Sequence, residues 1–345
     1  MTRYRRWPLD SMGLGLGLVA GAAAVALLAW QFGTTGIAAA ISHARPQFLL
    51  AYLGCAWLVR LGHSLRWRLV ARGLGENPLL SRLLRARLCG DAVGSLLPGG
   101  RLGGDPLRVA LVYGDGLGGA RAGASVVMDR VFETMGNIVC GITYTSVFSV
   151  AHTVAAPGNA LGWVVGSLAV CLLALLLAVE LLRRGFHLAE PLLALVARLP
   201  IPSRDRGLGA LRRIEAHLIA FVSGHPGTCV RALAGSLVIE ALVVFEAWLL
   251  LTAFDVHLDL PTLLMVLAAS GLTRIVPTPG ALGALEAGQV AVLSVAMGRP
   301  DVGFVVGVAM RMHDTLWSTL GFGVLAARGV SFAQVRALAR ADEAV

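Results

Sequence analysis

Apolar residues dominate the chain in stretches of about 20, the length that crosses a bilayer as a helix. Such stretches cover 12–32, 47–70, 120–152, 160–182, 228–254 and 302–327. Two further apolar segments, 83–113 and 261–297, are interrupted in the same way. The first reads Leu96-Leu97-Pro98-Gly99-Gly100-Arg101-Leu102-Gly103-Gly104-Asp105-Pro106, the second Val276-Pro277-Thr278-Pro279-Gly280-Ala281-Leu282-Gly283-Ala284-Leu285-Glu286. Each runs Pro-Gly, then Leu-Gly, then a carboxylate. Proline removes a helical N–H and glycine loosens the backbone, so neither segment is predicted to be one continuous helix. Broken backbone at membrane depth is tolerated only where it is buried in protein or lines a cavity, and a matched pair of such breaks points to a transport site.

The pattern predicts an all-α, polytopic membrane bundle: about six spans plus two re-entrant helical hairpins related as an inverted repeat. The whole chain, 1–345, is expected to be one integral membrane domain. Segments 83–113 and 261–297 form the re-entrant hairpins. Segment 185–226 is a cytoplasmic loop, in which Leu208, Leu211, Ile214, Leu218 and Phe221 recur at helical spacing. That spacing predicts an amphipathic helix on the membrane surface.

Composition sharpens the class. Hydrophobic residues make up 57% and charged residues 14% of 345, and the mean hydropathy is +0.75. A soluble fold of this size has too little interior for so much apolar surface. All 29 basic residues are arginine, against 20 acidic ones. They flank apolar spans, with no basic groove interleaved with aromatics, so nucleic acid is not an expected partner. Their loop asymmetry predicts that both termini lie in the cytoplasm, in a multi-pass protein of a bacterial-type inner membrane. The N-terminal Arg3, Arg5 and Arg6 with the apolar run behind them are read as a retained first span, not a cleaved signal. The five cysteines sit in or beside apolar spans without metal-ligand spacing and are read as small hydrophobes.

Ionisable side chains inside apolar sequence are costly and therefore functional candidates. Asp91, Arg101, Asp105, Arg108, Asp129, Arg130, Glu133, Arg274, Glu286, Arg311 and Asp314 form such a set. One reading makes them structural ion pairs, such as Arg130 with Asp105, that staple the hairpins to neighbouring spans. The other makes the cluster the lining of a polar cavity. Asp129 and Glu133 lie four apart on one helix face, where two carboxylates bind metal or act as acid and base. Arg130 between them favours a salt-bridge network, and no metal or cofactor is expected. His313 beside Asp314 is either a proton carrier or a paired polar residue. Gly99–Gly104 looks like a phosphate-binding glycine loop but lacks the Lys-Ser/Thr that makes that motif specific.

Several motifs recur in a familiar order: Leu65-Arg66-Trp67-Arg68 with Gly73-Leu74-Gly75, the Leu97-Pro98-Gly99 break through Asp105 with Leu107-Arg108, the run from Ser125 to Arg130, and Pro279-Gly280 through Glu286. The chain resembles the transmembrane, flippase-like domain of the lysylphosphatidylglycerol synthase family. The resemblance implies paired re-entrant helices around a lipid-accessible cavity, and a substrate among phospholipids, hopanoids and polyprenyl-linked lipids. The aminoacyl-transferase domain of bifunctional members is not in this chain, so no enzyme activity is expected. Pro277-Thr278-Pro279-Gly280-Ala281 stands where many members have Ser-Pro-Gly-Gly.

The combined expectation is a lipid transporter that moves a polar-headed, anionic lipid between leaflets. Arg101, Arg108, Arg130, Arg274 and Arg311 are expected to hold the phosphate, and Asp105 and Glu286 to hold those arginines or couple protons. The breaks at Pro98, Gly99, Gly103, Gly104, Pro279, Gly280 and Gly283 act as hinges. Expected partners are an anionic lipid, a lipid-biosynthesis enzyme and a second copy of the chain. The rival reading is a non-transporting accessory protein for a lipid-modifying or glycosyltransferase enzyme; a third is an intramembrane enzyme acting on lipid head groups.

Overall fold

A computed structural model describes residues 45–96, 103–152, 160–188, 204–273 and 283–327. The expected first span at 12–32, both termini and the tips of the two interrupted segments lie outside these residues. So do Pro98, Gly99, Arg101, Arg274, Pro279 and Gly280.

The described residues form ten α-helices and no strand: α1 (Pro46–Gly73), α2 (Leu80–Leu96), α3 (Asp105–Gly114), α4 (Gly119–His152), α5 (Ala160–Arg183), α6 (Arg204–Gly224), α7 (Pro226–Ala253), α8 (Leu260–Thr273), α9 (Ala284–Met297) and α10 (Pro300–Ala327). Three of them, α1, α5 and α7, are long and apolar enough to cross a membrane on composition alone. The 34-residue α4 extends about 51 Å at 1.5 Å per residue. None of the side chains of α5 is buried, and Trp163, Val170 and Leu173 are 65–76% exposed. An apolar surface that large facing outward fits lipid, not water.

Prolines open α1 and α7 at their first turn, where a missing N–H costs no helical bond. The Arg45 N–H donates to the Ala253 carbonyl at 2.9 Å, so the start of α1 lies beside the end of α7 and the two run antiparallel. Consequently α2 leaves α1 at one end of the bundle, and α8 leaves α7 at the other. Helices α2 and α3 pack as one short pair, α8 and α9 as another. Neither interrupted segment is a single helix, because its two helices lie side by side: Gly104 of the first is against Gly90, and Gln289 of the second donates to Val266 and Ser270.

Glycine is required at two points of these pairs. Gly283 precedes α9 with φ +76°, a backbone that a side chain strains, and its N–H donates to the Glu286 carboxylate at 3.0 Å. At Gly104 the backbone is ordinary but the space is not: a Cβ there lies 1.8 Å from the Gly90 carbonyl oxygen. This contact is backbone against backbone, so neither side can rotate away. We expect Gly104→Ala to separate α2 from α3 and cost about 1–3 kcal/mol or more, read as earlier thermal aggregation in detergent. A melting point equal to the parent's would mean that the pair is not closed this tightly.

The apolar core is divided. One cluster joins α1, α7, α8, α9 and α10 through Leu250, Leu263, Leu293 and Val306. A second surrounds Trp67, Leu83, Leu111 and Phe322. A third holds Val70, Met128, Phe132, Leu218 and Phe221. The last cluster shows what the apolar face of α6 meets: Leu218, Phe221 and Val222 are buried against α1 and α4. Gly123 of α4 gives Ile214 its approach, since a Cβ there would stand 2.7 Å from Ile214 Cδ1.

Candidate functional site

Between the core clusters lie three groups of polar side chains. The first sits where α1, α2, α3, α4 and α7 meet. Asp129 accepts from Arg66 Nε at 3.0 Å, from Arg87 Nη1 at 3.1 Å and from Arg108 Nη2 at 2.6 Å. Glu133 accepts from Arg66 Nη2 at 3.0 Å, from Arg87 Nη2 at 2.7 Å and from Arg130 Nη1 at 3.2 Å. Arg130 closes a two-pronged clasp on Asp105 at 2.9 and 2.6 Å, which Arg108 joins at 3.1 Å. Asp91 lies 3.6 Å from Arg87 Nε. Arg66 Nη1 also donates to Ser236 of α7 at 3.0 Å, and Arg108 lies over the Trp67 ring at 4.2 Å.

Four guanidiniums thus face four carboxylates, and the group is electrically neutral. Asp129, Glu133, Arg66, Arg87 and Arg108 are all buried. Isolated, any of these charges would be prohibitive inside a bundle; paired in bidentate geometry and hydrogen-bonded on several sides, they hold five helices in one register. The reason the local sequence builds it is spacing. Asp129 and Glu133 are one helical turn apart on α4, and Arg130 points about 100° round from Asp129, toward α3.

The second group is smaller. Arg311 of α10 grips Glu286 of α9 with Nε–Oε1 at 2.9 Å and Nη2–Oε2 at 3.1 Å. Glu286 also caps α9 through Gly283, while Gln289 donates to the Val266 carbonyl and to Ser270 Oγ on α8 at 3.1 and 2.8 Å. The pair α8–α9 is tied to itself and to α10 by these bonds.

The third group lines a cavity of about 350 Å³ among α1, α4, α7, α8 and α10. Its polar wall includes Tyr52, Arg60, His63, Glu240, Glu246 and His313. His313 is the centre: Nδ1 lies 2.8 Å from the Tyr52 hydroxyl and 3.4 Å from Glu246 Oε1, and Nε2 lies 3.3 Å from Arg60 Nη2. The Arg60 guanidinium also covers the Trp317 ring at 4.7 Å. With its amide nitrogen toward α7, Asn137 donates to Glu240 Oε1 at 2.6 Å. The volume falls within the 300–1,000 Å³ of small-molecule sites.

Of the candidate residues read from the sequence, Asp105, Arg108 and Arg130 meet in the first group, and Glu286 and Arg311 in the second. None of these five is on the wall of the cavity. Gly103 and Gly104 lie at the start of α3 and Gly283 at the start of α9. Among the described residues no group of three or more histidine, cysteine, aspartate or glutamate side chains has the arrangement of a metal site.

Comparison with known proteins gives the family. A family model described as "Lysylphosphatidylglycerol synthase TM region" matches residues 14–323. The chain belongs to that family. It is also 23% identical over 320 residues to a "UPF0104 membrane protein" of Methanothermobacter thermautotrophicus, covering 90% of this chain and 93% of the relative. No solved structure matches it.

For this member of the lysylphosphatidylglycerol synthase TM-region family, sequence reasoning missed Arg60 and His63 as site residues and Arg87 as a network residue. In the sequence Arg60 and Arg66 stand in the second half of the apolar stretch 47–70 and Arg87 near the start of segment 83–113, and none of them is next to a break. A signal was present: Tyr52, Ala56, Val59, His63, Arg66 and Val70 recur every three or four residues and are all buried, which marks one inward face of α1. Polar residues on that stripe had to be interior.

Proposed function

We propose that the protein is a transporter that moves a polar-headed, anionic lipid between membrane leaflets, with the Arg60–His313 cavity as its head-group site. The single observation that carries this reading is a cavity of about 350 Å³, lined by ionisable side chains, inside a bundle whose outer helices are apolar. A head group needs such a polar path because it cannot cross hydrocarbon, whereas the acyl tails stay in lipid. Arg60 supplies the planar fork for a phosphate. Arg108, Arg130 and Arg311 act as staples in this reading, since each already holds carboxylates.

The two short helix pairs, entering from opposite ends, support an inverted repeat of re-entrant hairpins, the arrangement in which alternating access is achieved by one half moving against the other. The arginine-rich loops support cytoplasmic termini in an inner membrane. The chemistry we assign is transport without head-group turnover.

The test is reconstitution. The purified protein alone should move a fluorescent phosphatidylglycerol across vesicles of neutral lipid. Gly271 lines the cavity and a Cβ there meets nothing within 4 Å. Gly271→Trp should therefore fill the site, slow translocation at least tenfold and leave thermal stability near the parent's. Translocation by Gly271→Trp at the parent rate would remove the cavity from the path. Failure of the parent to move any lipid would favour an accessory role beside a lipid-modifying enzyme.

A further inference from the structure

The cavity wall carries an unusual competition. Arg60 is always protonated and can only donate, so the His313 Nε2 that it approaches at 3.3 Å must present its lone pair. The proton of the neutral imidazole is then on Nδ1, directed at the Tyr52 hydroxyl at 2.8 Å and Glu246 Oε1 at 3.4 Å. Nε2 cannot take a second proton while Arg60 is there, since two donors would face each other. Proton and guanidinium exclude one another at one nitrogen.

We propose that His313 and Arg60 form a coupling pair, in which an anionic head group draws Arg60 off His313 Nε2 and a proton takes its place, so that one proton crosses with each singly charged head group. The inference rests on the transport reading above and adds its energy source. The charges around the pair favour it. From α1 come Tyr52, Arg60 and His63; from α7, Glu240 and Glu246; from α4, Tyr144; and from α10, Asp314, next to His313 in the chain and close enough to Tyr52 to act on its charge. With neutral histidines, two wall carboxylates outnumber the one guanidinium, so a phosphate entering alone is repelled. A proton on His313 cancels one of those charges, and Glu246 supports the imidazolium once Arg60 has turned to the phosphate. No bond other than N–H is made or broken: the Nε2 lone pair takes a proton from the aqueous side and returns it on the other. Because each ligand improves the site for the other, the coupling is reciprocal.

The experiment uses vesicles of phosphatidylcholine containing the full chain and a trace of short-chain fluorescent phosphatidylglycerol, with the outer-leaflet fraction read by an impermeant quencher. One proton per head group predicts a leaflet ratio that shifts about tenfold per unit of imposed pH gradient. Because the pair is electrically neutral in transit, a potassium-clamped membrane potential should leave that ratio unchanged. In His313→Gln the ratio should stay near one at any gradient. Fast translocation by the parent with no response to the gradient overturns the coupling and leaves transport standing. Absence of translocation refutes the transport reading, and the coupling is then decided by binding. Dihexanoyl phosphatidylglycerol added to the weakly buffered parent should draw about one proton per chain from solution. No uptake overturns the coupling.

Discussion

Asp129→Ala should yield a protein that fails to fold or melts far below the parent. The substitution leaves Arg66, Arg87 and Arg108 facing a lost carboxylate in a buried site, and breaking one side of a buried ion pair costs about 3–5 kcal/mol. Asp129→Asn keeps the shape and some acceptor capacity, so it should fall between. A second change makes the test specific. Arg108→Met removes one of the three cations that have lost a carboxylate, and in the Asp129→Ala background it should recover part of the loss, because it restores neutrality. Monodispersity and melting in detergent measure both. If Asp129→Ala melts with the parent, or if Arg108→Met worsens it additively, the network is not what holds these helices together.

Arg60→Gln should cut translocation of labelled phosphatidylglycerol about ten- to a hundredfold, since a charge-assisted hydrogen bond contributes about 1.5–3 kcal/mol and 1.36 kcal/mol is a factor of ten. Arg60→Lys keeps the charge but loses the planar fork and should retain an intermediate rate. A neutral lipid is the control: its rate should fall less than that of phosphatidylglycerol. Equal losses for both lipids would make Arg60 a wall-forming residue with no part in head-group recognition.

The architecture was legible because membrane helices are written in runs of apolar residues. The interruptions of 83–113 and 261–297 were legible because proline and glycine act locally on the backbone. The start of α4 was placed to within a residue for the same reason. Which charges meet was only partly legible. The Arg130–Asp105 pair was named from sequence as an alternative; the partners Arg66 and Arg87 were not, because they come from two other helices and no local rule brings 66, 87, 108 and 129 together. The cavity was illegible for a related reason. Tyr52, Glu246 and His313 lie on three helices 67 to 261 positions apart, and each looks like an ordinary polar residue in its own segment. Arg108, Arg130 and Arg311, expected to face a ligand, each meet carboxylates from other helices, and those partners could not be read from the sequence around them.

The neutral arginine–carboxylate group also sets an order of assembly. Arg66 is made 63 residues before Asp129 and 67 before Glu133. At about 5–20 residues per second, roughly 3–13 seconds of synthesis separate the cation from its first counter-charge in this group. During that interval Arg66, seven residues from the end of α1, lacks both of its carboxylates, whereas Arg87 on α2 already has Asp91 one turn away. The register of the last turns of α1 against α2 is therefore fixed by carboxylates on a helix made later, α4, and not by anything within the first two helices.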